Sequence, residues 1–294
     1  AFGNVYNIKY NGAATGFPWG AYAVNGCVDG DWIYADDTKT NVLAYVGTVS
    51  DTFTIPDGVT KIGYSYSFSD YPNCNQIIKN NAKSLKTIIF PEGVTEIGAN
   101  TFSNINYVES ITLPSTLKSI DEFAFYGNSE LRSISLPDGL ESIGKNALSG
   151  CRIFNLTVPD TVNHVDATAF ASTTGTVYEY SVANVMYDGD VSGAPWGASF
   201  LNKYAEDDKI YPDSNKEELL LMDMYTFNVF DIPDTVKKIG DYACAYIQRN
   251  LSIDESNAIT YGFPNSITEI GSHAFEGAKF TSALIIPDSV VSIG

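Results

Sequence analysis

The sequence predicts a mainly β solenoid of stacked coils, each about 23 residues long. Three observations carry this. Prolines recur at a near-constant interval, apolar residues keep fixed places around each proline, and two long stretches of the chain superpose on one another. A unit this short cannot bury its apolar groups alone, so the coils must stack into one continuous core.

The prolines set the register. Pro91, Pro114, Pro137 and Pro159 are almost evenly spaced, and Pro264 and Pro287 repeat the same interval. Pro56 and Pro233 belong to the same set, and the longer gaps from Pro56 to Pro91, Pro159 to Pro233 and Pro233 to Pro264 hold insertions. Apolar side chains stand at the sixth, third and first places before most of these prolines, most clearly in Leu85/Ile88/Phe90, Val108/Ile111/Leu113, Leu131/Ile134/Leu136 and Ile153/Leu156/Val158. The last two of each set alternate inward on a short strand. Proline then ends the strand, because it has no N–H to give a ladder.

After the proline come two apolar positions separated by one helical-like step of three, often followed by glycine: Val94/Ile97/Gly98, Leu140/Ile143/Gly144, Val236/Ile239/Gly240 and Ile267/Ile270/Gly271. The glycine is expected to let the backbone reverse. A small and then a bulky residue close the coil: Ala124-Phe125, Ala147-Leu148, Ala169-Phe170 and Ala274-Phe275. The small side chain allows close layering, and the bulky one is expected to plug the space between coils.

The resulting pattern, L-x-x-I-x-L-P-x-x-L-x-x-I-G-x-x-A-F, resembles the BspA-like class of leucine-rich repeats over most of residues 50–172 and 227–294. The resemblance implies a right-handed leucine-rich-repeat solenoid, with short parallel strands on a concave side and a mostly irregular or 3₁₀ convex side. It also implies a secreted or surface-attached bacterial protein, in some members an adhesin on host or bacterial partners. Two coils depart from the pattern. Ser67 replaces the bulky Phe of one, with Phe68 a place further on, and Cys244 replaces it in another.

With Gly16 laid on Gly193, Gly16-Phe17-Pro18-Trp19-Gly20-Ala21 falls on Gly193-Ala194-Pro195-Trp196-Gly197-Ala198, and Lys61-Ile62-Gly63 on Lys238-Ile239-Gly240, without a gap. The chain therefore divides into a first unit, 1–184, and a second, shorter copy, 185–294. Each opens with an insertion, near 8–50 and near 185–227, that lacks the repeat. Trp32-Ile33-Tyr34 and Val42-Leu43-Ala44-Tyr45 read as a β-hairpin around 36–40. Lys209-Ile210-Tyr211 and Leu219-Leu220-Leu221 read as its second copy. Trp19 and Trp196 are expected to pack the insertions onto the solenoid, or else to serve as exposed aromatics for a sugar or partner. The opening Ala1-Phe2-Gly3 and the stop within a repeat at Gly294 suggest a piece of a longer chain.

Charge narrows the partners. With 17 basic against 35 acidic residues, the net of -18 opposes binding to nucleic-acid phosphates and to anionic membranes. No run approaches the roughly 18 apolar residues of a spanning helix, so no direct membrane insertion is expected. Cys27, Cys74, Cys151 and Cys244 lack metal-ligand spacing, and the last two occupy small apolar places, so they read as core thiols.

No catalytic motif stands out. His164 and His273 fall in different coils, which argues against a shared metal or a Ser–His relay, and the carboxylates are scattered over loops. The acidic turns Asp29-Gly30-Asp31, Asp188-Gly189-Asp190 and Asp207-Asp208 lack an EF-hand pattern and read as solvated. No cofactor is expected, and a binding or scaffold module is expected rather than an enzyme. Asp160-Thr161-Val162, Asp234-Thr235-Val236 and Asp288-Ser289-Val290 are similar to a bacterial O-glycosylation acceptor, but the repeat itself generates them.

The remaining candidate is the outward face of the strands, at the second and fourth places before each proline. It comprises Thr54, Thr87, Ser110, Thr112, Ser133, Ser135 and Thr157, with Thr52, Ile89 and Asn155 beside them. The second copy places Val229/Asp231, Thr260/Gly262 and Ala283/Ile285 there. Glu109 and Arg132 flank the row, while Asn128 and Lys145 are expected on exposed loops elsewhere. A hydroxyl ladder makes a good solvated β-surface. It also makes a flat ligand face, and curved solenoids use such surfaces. The expected function is recognition of an unidentified protein or glycan on a host or bacterial surface. The alternative is a structural spacer in a longer surface protein.

Overall fold

The computed structural model describes residues 5, 7–12, 21, 23–65, 76–78, 84–173, 181–189, 193–223, 231–245, 263–278 and 284–294. Contacts divide the chain into two units, one reaching to Leu201 and the other holding Asn202–Gly294. The described residues contain strands and turns but no helix.

In the first unit the strands before the prolines pair in parallel and in register. Thr52–Thr54 lies beside Thr87–Ile89, Ser110–Thr112 beside Ser133–Ser135, and Ile153–Thr157 beside Val182–Met186. Within each of the four short strands from Thr52 to Ser135 the middle side chain is buried and its neighbours are exposed, as the period of two demands.

The segment after the proline is more ordered than the resemblance implies. Lys61–Ile62, Glu96–Ile97, Ser119–Ile120, Ser142–Ile143 and His164–Val165 form a continuous parallel ladder. The inward isoleucine holds each coil in register. Its carbonyl accepts from the residue that follows the matching isoleucine in the next coil, as in Asp121 N–H to Ile97 O at 2.9 Å and Gly144 N–H to Ile120 O at 2.8 Å. The third side is bonded too: Phe102 N–H donates to Ala124 O, Phe125 to Ala147, Leu148 to Ala169 and Phe170 to Trp196. All three sides of a coil thus satisfy backbone polar groups against its neighbours.

The glycine after the isoleucine has a different task from the one expected. A methyl on Gly98 would lie 2.3 Å from the Tyr64 carbonyl oxygen, and one on Gly144 would lie 2.6 Å from the Glu122 nitrogen. The glycine lets adjacent coils touch. Reversal falls to the residue before the small one, since Asn100, Phe123, Asn146, Tyr242 and His273 all have φ between 51° and 57°.

Phe102, Phe125 and Phe170 are fully buried between coils, and the rings of Phe102 and Phe125 stack at 5.7 Å. The column ends on Trp196, 6.2 Å from Phe170 and 5.3 Å from Tyr187. Val182, Val185 and Tyr187 are buried and Val182–Met186 is in register with the preceding strand, so 182–189 and 193–201 stack as a further coil with Trp196 in the plug position.

The expected hairpin forms from Trp32–Tyr34 and Asn41–Tyr45, with Cys27–Asp29 as a third antiparallel strand. Asn41–Tyr45 also pairs in parallel with Lys61–Ile62, which joins the hairpin to the long ladder. The second unit repeats this with Tyr204–Glu206, Lys209–Tyr211 and Leu221–Met222, while Glu218–Leu219 leads into Lys238–Ile239, Glu269–Ile270 and Ser292–Ile293.

Pairings recur at the offset that lays Gly16 on Gly193. Cys27 faces Tyr34 as Tyr204 faces Tyr211, Asn41 faces Lys61 as Glu218 faces Lys238, and Asn7 faces Ala23 as Asn184 faces Phe200. Lys39, paired with Asp29 at 2.6 Å, has its counterpart in Lys216, paired with Glu206.

Candidate functional site

Pre-proline strands expose two columns of short side chains. Thr52 faces Thr87 and Ser110 faces Ser133, and Thr54 faces Ile89 and Thr112 faces Ser135. At the last of these strands the exposed Asn155 faces a buried Asn184, whose amide donates to Asn155 Oδ1 at 2.9 Å, and the exposed Thr157 faces Met186. Of the candidate residues, Thr54, Thr87, Ser110, Thr112, Ser133, Ser135 and Thr157 are all exposed, while Phe53, Ile88, Ile111, Ile134 and Leu156 beneath them are buried. Ile89, 47% exposed, puts one large apolar side chain among the hydroxyls. In the second unit Asp231 and Ile285 are exposed, and the other residues named for that copy lie outside the described residues.

Charges border the columns. At the strand starts Glu109 is exposed, and Arg132 and Arg152 both reach Glu130, at 3.3 and 3.7 Å. Arg132 is thus already engaged by a carboxylate. Past the strand ends, Asp57, Glu92, Ser115, Asp138 and Asp160 follow each proline in successive coils. Glu92 accepts from the Ser115 hydroxyl at 2.9 Å. Among the described residues the side chains of Asp57, Asp138, Asp160 and Asp188 take no hydrogen bond or ion pair.

Behind this row, hydroxyls bridge coils. Thr116 accepts from Gly93 N–H at 2.9 Å and donates to Val94 O at 2.8 Å, and Thr161 Oγ1 lies 2.6 Å from Asp138 O and 2.8 Å from Leu140 O. The Thr161 hydroxyl of the Asp-Thr-Val triplet is therefore occupied with the backbone. Where Thr157 meets the turn, a cleft of about 390 Å³ opens, with Val158, Pro159, Met186 and Tyr187 in its walls and Asp138, Asp160 and Asp188 around it.

Several candidates stand elsewhere. Trp196, 6% exposed, is a core ring and offers no indole to a ligand, because it fills the plug position of the added coil. Trp19, Ser67, Phe68 and Cys74 lie outside the described residues. Asn128, expected on an exposed loop, is buried: its amide donates to Phe102 O and Phe125 O, and its oxygen accepts from Ile105 N–H at 2.6 Å. In a following coil Cys151 places its thiol 3.4 Å from Phe125 O, and burial pushes its pKa up to about 12. Cys244 is buried in the plug position, with its pKa raised by desolvation. Such thiols are inert.

His164 lies exposed on the long ladder, and His273 pairs with Glu276 at 2.9 Å and stacks on Tyr242. Among the described residues no group of three or more His, Cys, Asp or Glu could hold a metal ion. The most perturbed carboxyl among the described residues is Asp121. Burial and the neighbouring Glu96 raise it to about 7, while Lys61 lies 2.6 Å from Glu96. Sequence reasoning missed this pair because the two residues lie a full coil apart in the chain and meet only through the coil register.

The chain covers 62% of the crystal structure of the pneumococcal vaccine antigen PcpA, at 16% identity over 99% of this chain and a TM-score of 0.36. It covers 83% of a leucine-rich repeat protein from Bacteroides ovatus, at 18% identity over 98% of this chain and a TM-score of 0.29. It covers 76% of a leucine rich cell surface protein from Faecalibacterium prausnitzii, at 17% identity over 91% of this chain and a TM-score of 0.32. No curated protein gives a significant match. The model of the BspA type leucine rich repeat region matches residues 44–176 and 221–294 in six copies, more than half of the chain. With coils, plugs and ladders in the places that pattern requires, this chain belongs to the BspA-type leucine-rich repeat family.

Proposed function

We propose that this chain is the recognition module of a secreted or cell-surface protein and binds a protein or glycan through the outward face of its pre-proline strands. One observation carries the reading: Thr54, Thr87, Ser110, Thr112, Ser133, Ser135 and Thr157 are all exposed, on strands whose intervening side chains anchor them to one core. A ligand meets a surface that is already ordered, so little entropy is lost in forming it. The short hydroxyls leave the backbone approachable and offer both donors and acceptors. Surface localisation is supported by membership of the repeat family, which is also the ground for reading a binding module rather than an enzyme.

The test is a binding screen with the immobilised chain against host matrix proteins and a glycan array. Saturable binding of a defined partner is the expected result. Absence of binding on both panels would favour the spacer reading.

A further inference from the structure

We propose that the strand Asn7–Ile8, with the residues that flank it, is one half of a joint between coils. Its cover is a preceding leucine-rich repeat coil of the same polypeptide, of the kind formed by 151–172, which lies on it in parallel through its pre-proline strand. The chain already makes this joint once, between Ile153–Thr157 and Val182–Met186.

The two segments are the same element. With Gly16 laid on Gly193, the pattern V-x-N-[IV]-x-Y-x-G runs from Val5 to Gly12 and again from Val182 to Gly189. Asn7–Ile8 pairs with Ala23–Val24 as Asn184–Val185 pairs with Phe200–Leu201. Asn25 and Asn202 follow those partner strands, and both take a positive φ, 56° and 51°. The Tyr10 ring folds over Gly12 as the Tyr187 ring folds over Gly189, so a methyl on either glycine would strike the hydroxyl.

Their surroundings differ on one side. Val182–Met186 is the central strand of its sheet, between Ile153–Thr157 and Phe200–Leu201. Asn7–Ile8 has Ala23–Val24 on one edge, and among the described residues no strand pairs with the other. Burial follows pairing. Val182, Asn184, Val185 and Tyr187 are buried, whereas Val5 is 38% exposed and Asn7, Ile8 and Tyr10 are half-buried. An open edge beside apolar side chains is a template for a further strand.

The internal joint shows which strand fits. Tyr187 donates to Val162 O at 2.8 Å, and the Asn184 amide donates to Asn155 Oδ1 at 2.9 Å. Asn155 sets its coil apart, because Thr52, Thr87, Ser110 and Ser133 hold the same place, four before the proline, in the coils ahead of it. Asn7 gives one amide hydrogen to Gly26 O at 2.8 Å, and a carboxamide has a second to give to an oxygen placed like Asn155 Oδ1. Contacts carry the first unit on to Leu201, so the opening residues of the second sequence copy complete the solenoid of the first. The matching residues of the first copy are shaped to do the same for a coil ahead of them. Pairing and burial lead to this whatever residue the sequence opens on.

Hydrogen exchange on the full chain tests the proposal, with an added copy of 131–177 fused directly ahead of Ala1 to reproduce the spacing of the internal joint. Lys145→Arg in the added copy marks its peptides, and a Gly/Ser segment of equal length is the control. Amides of 5–10 should exchange at least tenfold more slowly than in the parent, approaching those of 182–187, and the control should leave them unchanged. If the added copy exchanges like unfolded chain, a longer copy of 94–177 takes its place. Unprotected 5–10 amides beside a folded copy overturn the proposal, as do equal slowing by the Gly/Ser segment and a copy that stays unfolded at both lengths. Protection of 5–10 in the parent overturns it too. Where that protection rises with protein concentration, a second copy of the chain is the occupant; where it does not, the edge is closed within the chain itself.

Discussion

Asp121 and Glu96 show what stacking does to a single residue. The carboxyls sit on adjacent coils with Lys61 and Ser65 on one side and Glu122 next in the chain, and Glu96 Oε1 and Asp121 Oδ2 are both shut off from water. Burial and the negative neighbour raise Asp121. Burial opposes ionisation of Glu96 as well, but Lys61 and Ser65 outweigh it and hold that carboxyl lowered. A raised carboxyl keeps its proton in the folded state after the unfolded chain has lost it. The contribution of Asp121 to stability therefore falls as pH rises from about 4 to about 7. Glu96 acts in the opposite sense, its stabilisation being lost only as pH falls below its ordinary range. Asp121→Asn removes the first effect and can donate to Glu96. The variant should melt above the parent at pH 8, with the gap closing towards pH 4; a gap equal at both pH values would exclude a raised Asp121 carboxyl. Phe125 tests the plug. Fully buried and stacked on Phe102, it should cost about 3–5 kcal/mol when cut to alanine, as read from chemical denaturation. An unchanged midpoint would contradict the register. Both plug and register were legible in the sequence, because the period shows in spacing alone. Bonds between coils were not: nothing in the sequence distinguishes Asn128, with its three buried bonds, from a loop asparagine.

Individual elements here are very short, and pairing with neighbouring coils stabilises them. A strand as short as Ser119–Ile120 persists because it pairs on both sides, with Glu96–Ile97 and Ser142–Ile143. On the second unit's parallel ladder the outer row alternates in charge: Lys238 lies 3.1 Å from Glu218 and 3.7 Å from Glu269. These pairs are partly exposed and set register more than they stabilise. Hydroxyl bridges between turns are better placed to stabilise. Thr161→Val keeps the shape and removes a hydrogen bond to the preceding coil, so about 1 kcal/mol should be lost. A loss below ~0.3 kcal/mol would show that water replaces the bond. The hairpins were readable from alternation and turn residues, whereas the third strands Cys27–Asp29 and Tyr204–Glu206 were not, each being a brief segment beside a turn. The coil that opens with Val182–Met186 escaped notice because it lacks a proline at the marking place after its strand.

For the whole chain, quasi-one-dimensional stacking predicts segmental unfolding. The two units have separate described cores, one around Ile97, Phe125 and Ile143 and one around Val236, Ile239 and Ile270. Denaturant titration followed by hydrogen exchange should show amides of 231–294 opening at a different denaturant concentration from those of 94–170. A single coincident transition would show the units to be thermodynamically one. The candidate face was legible as a row at fixed places before each proline, and its exposure follows from the strand period. The acidic cleft was not, since Asp138, Asp160 and Asp188 come together only when three coils stack.

Recognition through the strand face is tested most directly by titrating one confirmed partner against matched variants. Thr112 and Ser135 face each other in register on exposed positions, so Thr112→Arg/Ser135→Arg places bulk and charge at the centre of the row. Asn106→Arg/Ala167→Arg makes the same change at exposed turn positions. Both pairs should leave stability within about 0.5 kcal/mol of the parent. Binding should be lost in the first pair and retained in the second. A partner whose affinity survives Thr112→Arg/Ser135→Arg but falls with Asn106→Arg/Ala167→Arg would contradict the strand face as the site of recognition.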